Sequence, residues 1–271
     1  MTPGERAFVA WLCAERAGLL VDPDKEYLIE SRLAPVARRE GFGSAAELLQ
    51  ALRDREEERL VSAVVEALAQ RDASFFREPE VFALLRDQVL PRLARRREGE
   101  AIRVWSAACG PGQEVYSLAM MLADAPLAGA RVELFASNLS ERQLEKARSG
   151  VYTQFEVQRG LPARMLVRHF ERRDEAFELS PRLRQMVRWR RVNLLDDLSR
   201  LGRFDVVLCR QVLPAMTEAG RARALAGLTA AVDGGGVLVL GRQDLVSPPL
   251  GFRPLGLAGM FVADAELQAV A

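Results

Sequence analysis

The stretch Val104-Trp105-Ser106-Ala107-Ala108-Cys109-Gly110-Pro111-Gly112-Gln113-Glu114 constrains this chain more than any other. A short apolar run empties into small residues, two glycines and a proline, and an apolar-periodic segment carrying Leu118, Met121 and Leu122 follows. The pattern predicts a strand, a tight turn and a helix N-terminus. Glycine lets the chain turn with no Cβ in the way, so a ligand can lie directly on the backbone. Gly-Pro-Gly-Gln lacks both the Gly-x-Gly-x-x-Gly and the Gly-Lys-Ser/Thr patterns of phosphate-cradling loops. The turn approaches a ligand without offering phosphate chemistry.

Around this turn, strands alternate with helices. Residues 102–107, 131–137, 204–209 and 236–240 are apolar runs ending in small or polar residues. Helical stretches, about 114–124, 140–149 and 217–231, follow the first three. This alternation predicts an α/β fold, a Rossmann-like parallel sheet with helices on both faces. Ligands of such sheets bind beyond the carboxyl ends of the strands, so the informative residues are Cys109 to Glu114, Asn138, Asn193, Arg210 to Ala215, and Arg242 to Asp244. Between 150 and 200 the alternation breaks, and Phe177–Leu179 and Met186–Val192 read as strands of a small antiparallel β appendage, about 165–193. Its arginines, Arg182, Arg184, Arg188, Arg190 and Arg191, form either a solvated face or a docking surface for an acidic protein.

Residues 5 to about 95 read as all-α. Phe8, Trp11 and Leu12, then Leu48, Leu49 and Leu52, then Leu60, Val64 and Leu68 recur at helical spacing, with Ser44 as an N-cap. A last helix, Glu78 to Arg95, ends in the run Arg95-Arg96-Arg97-Glu98-Gly99-Glu100, read as a solvated linker. The organisation expected is a helical domain with its linker helix over 1–95 and an α/β domain over 100–271. With 38 Lys and Arg against 37 Asp and Glu, net charge is +1 and predicts neither nucleic acid nor an anionic membrane as a partner. No apolar run reaches membrane-spanning length, and the first residues lack the core of a signal peptide. Three scattered cysteines and one histidine make a transition-metal site an unsuitable reading, and a reduced cytoplasm is the expected home. Cys109 and Cys209, at strand ends, read as small buried residues.

Together these segments resemble the CheR family of bacterial chemotaxis receptor methyltransferases, over residues 8 to about 262. The resemblance rests on Gly18-Leu19, the run Lys25 to Leu33, and Gly41-Phe42. It rests further on Ser74-Phe75-Phe76-Arg77 with Pro79 and Phe82, the 105–109 strand end, Lys146 to Tyr152, Val192 to Leu195, and Phe204 to Arg210. It implies an S-adenosylmethionine (SAM) cofactor, with S-adenosylhomocysteine as product, and methyl transfer to glutamates of a coiled-coil chemoreceptor. The turn at 110–112 suits the amino-acid end of SAM. Carried over by position, Arg77 is the catalytic candidate, at the mouth of the site. Gly110 and Gly112 form the turn under the amino-acid part of SAM, Asn193 and Leu194 border the adenine, and Asn138 holds the place of a ribose-binding aspartate; Ala73, Arg77, Ala108, Glu114, Leu139, Arg210 and Gln211 complete the implied cofactor-binding set. Arg32 matches a receptor-facing position, with Arg184 and Arg188 as further partner contacts. A monomer with no metal, no nucleic-acid partner and no membrane insertion is expected. The appendage looks too short to grip a receptor-tail peptide tightly.

The pocket departs from the family pattern. Arg71 and Ala73 replace Asn and Thr, Gly110-Pro111-Gly112-Gln113 replaces Ser-Thr-Gly-Glu, and Asn138 replaces a ribose-binding aspartate. Gln211 replaces Asn, Ala215 a tyrosine, and Arg242-Gln243-Asp244 the triplet His-Ser-Glu. One lost hydrogen bond of about 1.4 kcal/mol is about tenfold in affinity. A second reading is therefore a member that has lost catalysis and acts as a SAM-sensing or protein-binding module. Ser247-Pro248-Pro249-Leu250, superficially like the loop of nucleic-acid amino-methyltransferases, comes too late in the chain and reads as a surface turn.

Overall fold

The computed structural model describes residues 1–264 except 56, 70, 71, 245 and 246; Arg71, one of the departures above, lies outside the described residues. Four helices come first: α1 (Pro3–Ala17), α2 (Glu26–Arg39), α3 (Ala45–Asp54) and α4 (Glu58–Leu68). Their apolar stripes meet in one cluster, with Val9, Leu33, Leu48, Leu49 and Val64 fully buried. The starts are set locally. Thr2 and Glu5 form a capping box ahead of Pro3, and Ser44 accepts from the Glu47 N–H at 3.1 Å.

The predicted linker helix is three segments in line: α5 (Pro79–Leu84), a π-helical turn (Leu85–Val89) and α6 (Leu90–Arg97). Its apolar face (Val81, Phe82, Leu85, Val89, Leu93) packs into the core beneath the sheet, not with the four helices. The basic run at its end is only partly a solvated linker. Arg97 reaches inward, its Nε donating to Asp205 Oδ1 and its Nη2 to Asp233 Oδ2, each at 2.7 Å, and Asp205 is wholly buried. A buried carboxylate needs such a partner.

The remaining chain runs β1 (Ile102–Ser106), α7 (Gln113–Asp124), β2 (Val132–Asn138), α8 (Glu141–Ser149), β3 (Val151–Thr153), α9 (Gln154–Gln158), α10 (Ala163–His169), β4 (Phe170–Arg173), β5 (Ala176–Leu179) and α11 (Pro181–Gln185). Then come β6 (Val187–Arg191), β7 (Phe204–Cys209), α12 (Glu218–Ala230), β8 (Val232–Leu240), β9 (Phe252–Leu255) and β10 (Leu257–Ala263). The main sheet has the order β6-β2-β1-β7-β8-β10-β9. The first five strands are parallel, and β10 is antiparallel to β8 and β9. Strand order reverses at β1, which places a crevice above the carboxyl ends of β1 and β7. β7 is buried along its whole length, as a strand covered on both faces must be.

The appendage is a three-stranded antiparallel sheet, β3-β5-β4. It contains the predicted strand at Phe177–Leu179 but not the one at Met186–Val192. That segment is β6, the edge of the main sheet, parallel to β2 with Trp189 opposite Ala136. Exposed Arg188 and Arg190 alternate with buried Val187 and half-buried Trp189. An edge strand and an appendage strand share this alternation, and only the partner differs. Ser247 to Leu250 is a surface segment, with Leu250 fully exposed.

Candidate active site

A cleft opens at the reversal point. Its floor is the glycine turn between β1 and α7. Gly112 caps α7 with φ +91°, and a Cβ there would lie 2.9 Å from Ala147 Cβ and 3.1 Å from Trp189 Cη2. Glycine at 112 is thus required by the packing of α8 and β6 against the turn, and Gly112 alone of the predicted cofactor residues does not line the cleft. Gly110 does (φ +57°), and a Cβ added to it would stand with Ala73 Cβ as its nearest neighbour, 3.7 Å away. The appendage steadies this turn: the Tyr152 hydroxyl donates to Pro111 O at 2.7 Å, and Gln113 Nε2 to Glu156 O at 3.3 Å.

At one end of the cleft stands an arginine–carboxylate network. Arg210, following β7, is buried and donates from Nη1 to Glu114 Oε2 (3.1 Å). Its Nη2 donates to Glu78 Oε2 (2.9 Å) and Arg77 O (2.6 Å). Burial works against the Arg210 charge, but Glu114 and Glu78 outweigh it and hold the guanidinium above its usual range. Glu114 also accepts from Ser106 Oγ at 2.8 Å. Gln211 sits in left-handed backbone (φ +62°) and sends Nε2 to Glu78 Oε1 at 3.3 Å. Asp244 fastens this loop, accepting from the N–H groups of Gln211, Leu213 and Gly241 at 2.5, 3.1 and 2.7 Å. Burial pushes the Asp244 carboxyl up, against those N–H groups.

Arg77 is placed differently. Half-buried on the cleft wall, it donates to Asp72 O at 3.3 Å and makes no ion pair among the described residues. The adjoining Phe75 is fully buried edge-on to Tyr152 and Phe170, with ring centroids 5.1 and 5.8 Å away. Phe76 is half-buried against Phe82 at 5.2 Å. Phe75 N also donates to Arg159 O, so this segment presents Arg77 from a fixed backbone.

At the other end stand Asn138, Leu139, Asn193 and Leu194, with Ala108 between the two ends. Asn138 Oδ1 already accepts from Ser140 N at 3.0 Å. Asn193 Nδ2 donates to Arg16 O at 2.6 Å, tying this loop to the end of α1, and its Oδ1 accepts from Leu195 N. The helical domain lines the cleft through Ala17, Leu19, Glu66 and Ala69, which sequence reasoning did not include. Leu19 falls in the Gly18-Leu19 segment, read above without a site role, and no local motif marks the other three; all four lie far along the chain from the strand ends they face. Glu78 adjoins a motif that was read and Asp244 lies within one, the Arg242 to Asp244 stretch, though neither was expected as a network member.

The predicted partner residues each have their own surroundings. Arg32 Nη1 donates to Leu68 O at 2.8 Å, closing the end of α4. Arg184 donates to Ser149 O (3.0 Å) and Glu178 (2.9 Å), its stem packed against Gly150. Arg188 is exposed on β6. Cys109 and Cys209 are buried free thiols whose pKa burial raises. Among the described residues no group of three or more His, Cys, Asp or Glu side chains could hold a metal, and no helix is long and apolar enough to cross a membrane.

Two family descriptions match this chain: "CheR methyltransferase, all-alpha domain" over residues 7–69 and "CheR methyltransferase, SAM binding domain" over 71–255. Chemotaxis protein methyltransferase 1 of Pseudomonas aeruginosa is 32% identical over 89% of this chain and 89% of its own length. Chemotaxis protein methyltransferase 1 of Vibrio cholerae is 30% identical, over 84% of each chain. The chemotaxis protein methyltransferase of Salmonella typhimurium is 36% identical over 76% of this chain and 71% of its own.

Proposed function

This chain belongs to the CheR methyltransferase family and is a SAM-dependent methyltransferase; we propose that it methylates glutamate side chains of a chemoreceptor coiled coil, as part of chemotaxis signalling. The observation that carries the choice of a carboxylate acceptor is Arg77, the cleft-wall cation without an ion-pair partner among the described residues, beside an Arg210 that is doubly paired. An anionic acceptor, or the carboxylate end of the cofactor, finds its countercharge there.

The residues fit SAM. The open face of Gly110 is a cradle that a side chain would fill, and Arg77 and the Ala73–Ala108 wall border the methionine end. Leu139 and Leu194 offer apolar surface for the adenine, with Asn193 at its edge. When bound, SAM supplies a sulfonium-activated methyl group. The glutamate acceptor, with a pKa of about 4.3, is ionised at neutral pH and needs no general base. Its oxygen forms the bond to the methyl carbon, the C–S bond breaks with its electron pair going to sulfur, and no proton moves. The protein's task is to align the two partners and exclude water. Departures such as Ala215 for tyrosine leave that task possible, because none of them removes an acid or base that the reaction needs.

The test is methyl transfer from labelled SAM to chemoreceptor fragments. The expected product is a base-labile ester that releases labelled methanol, with loss of labelling when acceptor glutamates are changed to alanine. Alkali-stable labelling, or transfer only to nucleic acid, would overturn the reading.

A further inference from the structure

A ribose carries two neighbouring hydroxyls, both donors, and an ionised carboxylate, which only accepts, suits them best. In parallel α/β sheets an acid beyond the second strand usually fills this role. Here that place is held by Asn138. Its amide orientation is fixed, because only the oxygen can accept from Ser140 N at 3.0 Å. That leaves the Asn138 amide one spare lone pair and a donor group facing two donors.

Among the described residues, three carboxylates line the cleft: Glu66, Asp72 and Glu114. Glu114 is committed to Ser106 and Arg210 at the arginine end. Asp72 is mostly exposed and turned to Arg159, with an N–O distance of 3.4 Å. Glu66, near the end of α4, remains. Its Oε2 accepts from Ser140 Oγ at 2.9 Å, two residues beyond Asn138, and Arg191 Nη2 stands 3.5 Å from its Oε1. Arg191 in turn donates from Nε to Leu139 O at 2.9 Å. Glu66 is thus held against the loop after β2, at the nucleoside end, with acceptor capacity left on both oxygens.

We propose that Glu66, supplied by the helical domain, is the carboxylate that accepts the ribose hydroxyls of the bound cofactor. This assignment rests on the cleft being the SAM site. It makes the nucleoside subsite a joint product of the two domains, so that cofactor binding and their apposition are coupled.

The experiment is calorimetric titration with S-adenosylhomocysteine and its 2′-deoxy and 3′-deoxy analogues, on the native protein, Glu66→Gln and Arg191→Met. The native protein should bind the parent about tenfold or more tighter than the deoxy analogues. Glu66→Gln should lose about tenfold for the parent, and its discrimination should collapse toward unity. Arg191→Met removes only the strut and should keep the discrimination. If Glu66→Gln weakens all three ligands alike, or none of them, Glu66 is an inter-domain strut and the assignment falls alone. If the native protein binds none of the three, the cofactor reading falls and takes the assignment with it.

Discussion

The two ends of the cleft are built by opposite strategies. At the arginine end, Arg210, Glu78, Glu114, Ser106 and Asp244 brace one another within the α/β domain, and Arg210 and Asp244 are buried. At the opposite end, the bonds of Asn193 and Glu66 cross from the α/β domain to the helical domain, where much of the contact is solvent-exposed. A buried charge network is rigid and costly to break, whereas bonds across a half-exposed seam are individually weak. The contrast separates a pre-organised arginine end from an opposite end that depends on two domains meeting.

Arg210→Met should show the contrast most strongly. It leaves Glu78 and Glu114 unpaired near one another and should cost about 3–5 kcal/mol in urea unfolding. A cost below about 1 kcal/mol would mean that the network is not the brace described. The two glycines of the turn come next. Gly112→Ala meets Ala147 and Trp189 and should cost about 1–3 kcal/mol. Gly110→Ala should cost about 1 kcal/mol in stability, yet weaken S-adenosylhomocysteine more than Gly112→Ala does, because its methyl stands in the cleft. Equal binding losses would show that the two positions are not distinct in the way their neighbours indicate. Asn193→Ala removes the bond to Arg16 O. It should cost about 1 kcal/mol and speed proteolysis between the helical and α/β domains, and an unchanged cleavage rate would contradict the seam. Arg77→Ala should change stability least, within about 0.5 kcal/mol, while lowering methyl transfer at least about tenfold.

The sheet was largely legible because β1, β2 and β7 are apolar runs that end in small or polar residues, and burial on both faces demands such runs. The arginine end was legible for the same reason, since Gly110, Glu114 and Arg210 directly follow those strands. β6 was assigned to the wrong sheet because its alternation of Val187 and Trp189 with arginines records which face is covered, not which strand lies alongside. Arg97 looked like one of several solvated arginines, and its buried partner Asp205 lies 108 residues away. Glu66 is invisible for a related reason. Its bond to Ser140 spans 74 residues, and only the meeting of two domains gives it a role. What a strand end presents is local; what faces it is tertiary.

The most direct test of the central claim, that the cleft above β1 and β7 is a working SAM site despite its altered lining, is calorimetric titration of the native protein with S-adenosylhomocysteine. The account predicts a single site with a Kd of about 1 μM, about −8 kcal/mol, weakened by Arg77→Ala and by Gly110→Ala. No heat of binding at millimolar ligand would contradict it and leave a protein whose cleft no longer holds the cofactor.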